Sequence, residues 1–142
     1  MKVKFFLPIL FCLCFNFLEI TRAAPITSPF GWRIHPISGQ WAFHTGVDIG
    51  YEEGTEIVAL HSGTVVYAAP YGGYGNCVII EDSAGDHQLY AHSSRILCSY
   101  GQDIAQNQVI ALVGSTGNST GPHLHVEYWK NSQYVNPLEL WE

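Results

Sequence analysis

The chain has 142 residues, of which 47% are apolar and 13% are charged, so its length allows one domain or at most two small ones. Six Lys and Arg against twelve Asp and Glu give a formal net charge of −6, which argues against binding to a polyanion such as nucleic acid. The apolar fraction is also too high for a disordered chain.

The first two dozen residues differ from the rest and predict a secretory signal peptide over residues 1–23. Lys2 and Lys4 precede an apolar run at 5–18, and the segment closes on small residues around Ala23. This run is short for a membrane-spanning helix, which needs about 20 residues. We expect cleavage near Ala23 and export to the periplasm or cell exterior, with no membrane association afterwards. An uncleaved membrane anchor is the alternative.

The remaining domain, residues 24–142, is acidic and contains two cysteines. Three cationic side chains against eleven acids give it a formal charge of −8. Cys77 and Cys98 would lie in an oxidising compartment, where a disulfide between them would contribute roughly 3 kcal/mol to stability. Two alternatives stay open, an intrachain disulfide or two well-separated buried thiols.

Short apolar stretches separated by turn residues predict an all-β domain with antiparallel strands. No stretch of ten or more residues keeps a clean 3.6-residue apolar period, so helices are not expected. The segment 81–86 predicts a hairpin turn, and 71–76 and 115–122 predict longer loops, where functional residues are often carried. The predicted strands are 56–59, 63–68, 77–81, 87–92, 109–113 and 123–129.

Histidines and an aspartate form two closely spaced pairs that predict a metal site. His44 and Asp48 are four residues apart, and His123 and His125 are two apart. On an extended chain both offsets place side chains on one face, so each pair can direct its polar groups to one point. Four such ligands would fill a structural zinc site, whereas three plus a water would make a catalytic one. The residues alone leave open which histidine is not a ligand.

A single histidine on a strand is more often a hydrogen-bonded or surface residue than a metal ligand, and H-x-H alone is a weak signal. The combination of both pairs with His92, which follows Tyr90 and Ala91, favours a metal site. We expect the other histidines to have no such role. They are His35, His61 and His87.

Five motifs together resemble those of a known family, and they extend from about Ser28 to the end of the chain. They are Pro29-Phe30-Gly31-Trp32-Arg33-Ile34-His35-Pro36, His44-x-x-x-Asp48, Leu89-Tyr90-Ala91-His92, Gly114-Ser115-Thr116-Gly117 and Ser119-Thr120-Gly121-Pro122-His123-Leu124-His125. The chain is similar here to the M23 zinc metallopeptidases, the LytM or lysostaphin-type endopeptidases that cut peptide crosslinks of bacterial peptidoglycan.

This resemblance implies an antiparallel β-sheet core with an active-site groove, of the duplicated hybrid motif type. The implied activity is that of a secreted zinc endopeptidase acting on stem or crosslink peptides of peptidoglycan. His44, Asp48 and His125 would bind one Zn²⁺ per chain. His92 and His123 would be the catalytic histidines that are not ligands, and they would move protons or stabilise the oxyanion.

Glu127 and Ser38 bear on the expected metal site and on which bond is cut. Glu127 shares a strand face with His123 and His125; we expect it to be solvated or ion-paired, with orientation of one ring as the alternative. Some lysostaphin-type members have a Tyr six residues before the first ligand, where this chain has Ser38, so selectivity for Gly–Gly bonds is not implied. The motif at 30–36 is more similar to branches that cut D-amino-acid crosslinks between stem peptides.

Two other functions compete with this one. A noncatalytic M23-like module would bind the wall or activate another wall hydrolase, but such members typically lose ligands and this chain keeps every candidate. A sugar phosphotransfer carrier domain also uses paired histidines, but the export signal and Asp48 argue against it.

Overall fold

β-strands form about half of residues 24–140, the part of the chain that the computed structural model describes. The predicted signal peptide and its cleavage site lie outside the described residues. No α-helix occurs within 24–140, and no described helix is long and apolar enough to span a membrane. The strands are β1 Ile26–Ser28, β2 Gly31–Ile34, β3 Trp41–His44, β4 Gly46–Ile49, β5 Glu56–Val58, β6 Gly63–Pro70, β7 Asn76–Glu81, β8 His87–Ser93, β9 Arg95–Ile96, β10 Asp103–Ile104, β11 Val109–Leu112, β12 Leu124–Lys130 and β13 Gln133–Val135.

The strands form one large sheet and two small ones, all with antiparallel pairing. The large sheet has the order β1-β4-β12-β8-β7-β6-β10, with β13 also paired to β12. The small sheets are β5-β11-β9 and the hairpin β2-β3. The predicted all-β antiparallel class is confirmed, and each strand predicted from residue 56 onward is present with its bounds shifted by a few residues. The predicted turn at 81–86 connects β7 and β8, which pair as a hairpin.

The main core lies between the large sheet and the sheet β5-β11-β9. Val78, Tyr90 and Val126 face it from the large sheet, and Ile57 and Ile110 face it from the small one. A second, smaller cluster, which includes Leu89 and Ala91, lies on the opposite face of the large sheet. Because side chains alternate along a strand, β12 directs Leu124 and Val126 into the main core, and His125 and Glu127 to the opposite face.

Cys77 and Cys98 are both free, so the disulfide alternative was wrong. Cys77 packs with Leu89 and Ala91 in the second cluster, whereas Cys98 packs against the main core on the other side of the sheet. The sheet therefore separates the two thiols. Burial raises the pKa of Cys77 to about 12, which keeps this thiol protonated.

The hairpin β2-β3 was not predicted, and it presents two chemically different faces. Trp32 pairs with Phe43 and Ile34 with Trp41 in its register, and all four side chains are exposed. Arg33 pairs with Ala42 on the other face, and both line a groove on the surface of the large sheet. The hairpin thus forms one wall of that groove.

Candidate metal centre and active site

Strand register brings the two halves of the candidate metal site together. β12 lies between β4 and β8, and His125 pairs directly with Asp48 of β4. His44 ends β3, and a bend at Thr45 separates it from β4, so His44 and Asp48 do not share one continuous strand as expected. Their side chains nevertheless converge on His125.

Three donor atoms form a compact triangle. His44 Nε2 lies 3.1 Å from His125 Nδ1 and 3.3 Å from Asp48 Oδ1, and His125 Nδ1 lies 2.7 Å from Asp48 Oδ1. Tetrahedral zinc with bonds near 2.0–2.1 Å separates its ligand atoms by roughly 3.3 Å. The triangle therefore fits a small divalent cation. His123 Nε2 lies farther out, 3.8 Å from Asp48 Oδ1.

Hydrogen bonds fix which nitrogen each of these imidazoles turns toward the triangle. His44 Nδ1 lies 2.8 Å from the carbonyl oxygen of Pro29, which can only accept, so Nδ1 carries the proton and Nε2 is the free donor atom. His125 presents its opposite nitrogen: Nε2–H donates to Glu127 Oε1 at 3.1 Å, which leaves Nδ1 for the triangle. Each ring thus turns toward the triangle the nitrogen that would bind a metal, and a metal ion would replace any proton held there.

Glu127 is fully buried beneath His125, so it is not solvated; it is ion-paired with His125, and the same contact orients that ring. Its Oε1 also accepts hydrogen bonds from Tyr74 Oη at 2.8 Å and from Thr45 Oγ1. Burial alone would raise the pKa of Glu127, but these donors and His125 outweigh it and lower the pKa. The carboxylate therefore stays ionised inside the protein.

The cluster favours a positive charge at the triangle. Burial alone would lower the pKa of His125, but its contacts with the carboxylates of Asp48 and Glu127 raise it to about 9. Burial likewise would raise the pKa of Asp48, and the hydrogen bonds from His125 and His44 lower it well below its usual range. The buried carboxylate of Glu127 and the partly buried one of Asp48 thus stabilise a positive charge at this imidazole, and a bound metal ion would supply that charge in place of the proton.

His92 and His123 lie beside the triangle and are oriented by backbone carbonyls. His92 Nδ1–H donates to the carbonyl of Thr116 at 2.8 Å, and His123 Nδ1–H donates to that of Gly121 at 2.8 Å. The two ring centroids are 4.7 Å apart, and neither Nε2 makes a hydrogen bond within residues 24–140. Burial lowers the pKa of His92, as do the neighbouring His123 and His125 rings, so this imidazole is neutral near pH 7.

All five predicted site residues line one groove of about 330 Å³. His35 also lines this groove, and its Nδ1 accepts hydrogen bonds from the backbone N–H groups of Ile37 and Ser38. His61 contacts Tyr128, and His87 contacts Glu81. Sequence reasoning gave no role to Thr45, Tyr74 or Arg33, which also line it. Arg33 belongs to the motif at 29–36 and is one of only three cations after residue 23, but neither observation gave it a role.

These features define a class of protein: a β-sheet protein whose groove joins a His-Asp-His donor set to a second pair of oriented histidines. The comparison with known families is consistent with this class. Residues 42–137 match the model of peptidase family M23, and the chain belongs to that family.

The chain is similar to a bacterial peptidase and to an activator of murein hydrolases. It is 45% identical over 115 residues to the DD-carboxypeptidase/endopeptidase Mpg of Neisseria meningitidis, covering 81% of this chain and 26% of that protein. It is 41% identical over 92 residues to the murein hydrolase activator EnvC of Escherichia coli, covering 65% and 22%. The chain thus spans about a quarter of the length of these curated relatives.

The fold matches a solved catalytic domain over nearly its whole length. The catalytic domain of lysostaphin from Staphylococcus simulans superposes with a TM-score of 0.80 at 29% identity, covering 89% of this chain and 98% of that domain. The expected lysostaphin-type fold is therefore confirmed.

Proposed function

We propose that the chain is an exported zinc metalloendopeptidase that hydrolyses peptide bonds in the stem or crosslink peptides of bacterial peptidoglycan. The observation that carries this proposal is the joining, in one groove, of a metal-sized donor triangle and two oriented histidines that are not part of it. Membership of family M23 and the name of the Neisseria relative support a peptidase that acts on the wall. The predicted signal peptide supports export.

His44 Nε2, Asp48 Oδ1 and His125 Nδ1 are the proposed zinc ligands. Two imidazole nitrogens and one carboxylate oxygen, with room for a further ligand on the groove side, are a donor set typical of catalytic zinc. The chemistry that zinc supplies when bound is Lewis-acid polarisation of a carbonyl and activation of water. Glu127 holds the His125 ring in place for this role.

His92 and His123 are the proposed groups for proton transfer and oxyanion stabilisation. Each keeps Nδ1–H on a backbone carbonyl and turns Nε2 to the groove, so it can accept a proton from water or donate one to the leaving nitrogen. An imidazole suits both steps because its usual pKa of about 6.5 lies near the working pH. The lowered pKa of His92 keeps it ready to accept a proton at neutral pH.

The likeness to EnvC favours a second candidate, a noncatalytic module that binds the wall or activates another hydrolase. The intact donor set and both catalytic histidines favour the enzyme instead, because a purely binding module does not need this geometry. The two candidates differ in a measurable way, since only the enzyme breaks bonds.

Digestion of purified peptidoglycan tests the proposal. The exported protein should contain close to one zinc per chain by elemental analysis and release new amino termini, and mass spectrometry of the products identifies the bond cut. Chelation of the metal should abolish release, and added zinc should restore it. Bound zinc without new termini would favour the activator, whereas hydrolysis that persists in metal-free protein would exclude the zinc mechanism.

A further inference from the structure

Arg33 lines the groove as a partly buried cation with an unpaired N–H group. Among the described residues that line it, Arg33 is the only lysine or arginine, in a domain with a formal charge of −8. Its side chain is 17% exposed, and the buried Nε–H has no hydrogen-bond partner among residues 24–140. Buried polar groups are normally hydrogen-bonded, so an unpaired guanidinium N–H in a binding groove calls for a physical explanation.

The nearest anion to Arg33 does not satisfy it. Asp48 Oδ2 lies 3.9 Å from Arg33 Nη2, which is an ion-pair distance but too long for a hydrogen bond. The other oxygen, Oδ1, is the one that faces His44 and His125. Arg33 therefore lies one carboxylate group away from the donor triangle and makes no hydrogen bond with Asp48.

We propose that Arg33 is the anchor for a free carboxylate on the substrate, on the residue whose nitrogen is released when the bond is cut. This inference rests on the proposed function. Arginine binds carboxylates with two parallel N–H donors, and such charged hydrogen bonds are the strong ones. Only the amide nitrogen and one carbon separate the scissile carbonyl from a carboxylate in that position, which matches the short distance between Arg33 and the triangle.

Two kinds of wall peptide bond carry such a carboxylate. One is the bond to a carboxy-terminal D-alanine. The other is a crosslink to the side-chain nitrogen of a diamino dicarboxylic acid, where the carbon next to that nitrogen bears a carboxylate. A bond inside a glycine bridge has no carboxylate there. Arg33 would therefore let one groove accept both carboxypeptidase and crosslink substrates while disfavouring glycine bridges.

Matched substrate pairs test this anchor with the zinc-loaded protein. One pair is a peptide ending in D-alanyl-D-alanine and its carboxy-terminal amide; the other is a crosslinked dimer with a free or an amidated carboxylate beside the crosslink. The wild type should cleave each free acid with a kcat/KM about 10- to 100-fold above that of the amide, mainly through KM because the contact exists before and during reaction. If only one pair shows this preference, that pair identifies the source of the carboxylate.

Variants at Arg33 separate an anchor from a structural role. R33Q should reduce the ratio of kcat/KM for the acid to kcat/KM for the amide to near one, without changing the zinc content. R33K should give an intermediate ratio, because it keeps the positive charge but loses the two parallel N–H donors. R95Q, an exposed change on β9, should match the wild type. A wild-type ratio near one would overturn the inference while leaving the proposed function intact. Equal loss on acid and amide, or loss of zinc, in R33Q would also overturn it and make Arg33 a partner of Asp48.

Binding measurements keep the inference testable if the protein hydrolyses nothing. Calorimetric titration of the D-alanyl-D-alanine peptide should then show tighter binding of the acid than of the amide to the wild type, and equal binding of both to R33Q. Absence of hydrolysis would reject the proposed function, and equal binding to the wild type would reject the anchor.

Discussion

The two sides of the groove hold their functional rings by different means. His125 and Asp48 stand opposite each other in a strand ladder, and His44 ends the neighbouring hairpin. His92 and His123 instead depend on two carbonyls, those of Thr116 and Gly121, in the loop between β11 and β12. A metal needs three atoms at fixed separations, which a ladder provides, whereas a proton-transferring ring needs mainly the correct orientation. The sheet side, which consists of His44, Asp48 and His125, should therefore control metal retention. The loop side, which consists of His92 and His123, should control turnover.

Replacement of Asp48 by Ala should have the largest effect, because it removes the only carboxylate of the triangle. We expect the zinc content to fall from close to one per chain to near zero after dialysis, and release of amino termini to stop. Elemental analysis and the peptidoglycan digestion assay measure the two effects. The exposed Glu53→Ala change is the charge-matched control. Cleavage that survives in Asp48→Ala would count against the proposed metal site.

His92→Ala should affect turnover alone. Cleavage should fall by about 10²- to 10⁴-fold, the range for loss of a general acid or base, while the zinc content stays unchanged. His87→Ala on the same strand is the control, because His87 lies at the other end of β8 against Glu81. Loss of zinc in His92→Ala would show that His92 is a ligand and would remove the distinction between the two sides.

The convergence of the donor set could be predicted from sequence because most of it depends on local spacing. The offset between His123 and His125 and the offset between His44 and Asp48 each set two side chains toward one point, although His123 lies just before β12 and only His125 belongs to that strand. His44 and Asp48 do not need to share one strand: the bend at Thr45 places them on β3 and β4, and their side chains still converge. Six strands from residue 56 onward were also predicted, because apolar stretches between turns are short and regular there, whereas β9, β10 and β13 were not.

Features that depend on distant residues could not be predicted. Alternation places Glu127 on the correct face, but its burial depends on Tyr74 and Thr45, which are 53 and 82 residues away in the chain. The hairpin β2-β3 was missed because its aromatic face is exposed, so its pattern does not mark a buried strand. The thiols of Cys77 and Cys98 were left undecided because only the assembled sheet shows that they lie on opposite faces.

Glu127→Gln probes the support beneath the sheet side. The change keeps the size of the side chain but removes the charge that orients His125, so zinc affinity should fall by about 10- to 100-fold. Competition with a chelator of known affinity measures this, and Glu139→Gln, an exposed change, is the control. Unchanged affinity would show that the ladder alone holds His125 and that the buried carboxylate is dispensable for the metal.

Gly117→Ala probes the loop side and should have the smallest of these effects. Gly117 has φ +74°, and a methyl group there would clash with backbone atoms of Gly73 and Gly75. The adjacent Thr116 would have to move, and with it the carbonyl that orients His92. We expect about tenfold slower turnover, since small misplacements of catalytic groups are costly, with zinc affinity unchanged. Gly85→Ala, in the turn between β7 and β8, is the matched control, because Gly85 has a similar φ of +81° and a methyl group there meets no atom within 4 Å. A weaker zinc affinity in Gly117→Ala would mean that the loop also supports the triangle. Metal retention and turnover would then not be controlled by separate sides of the groove.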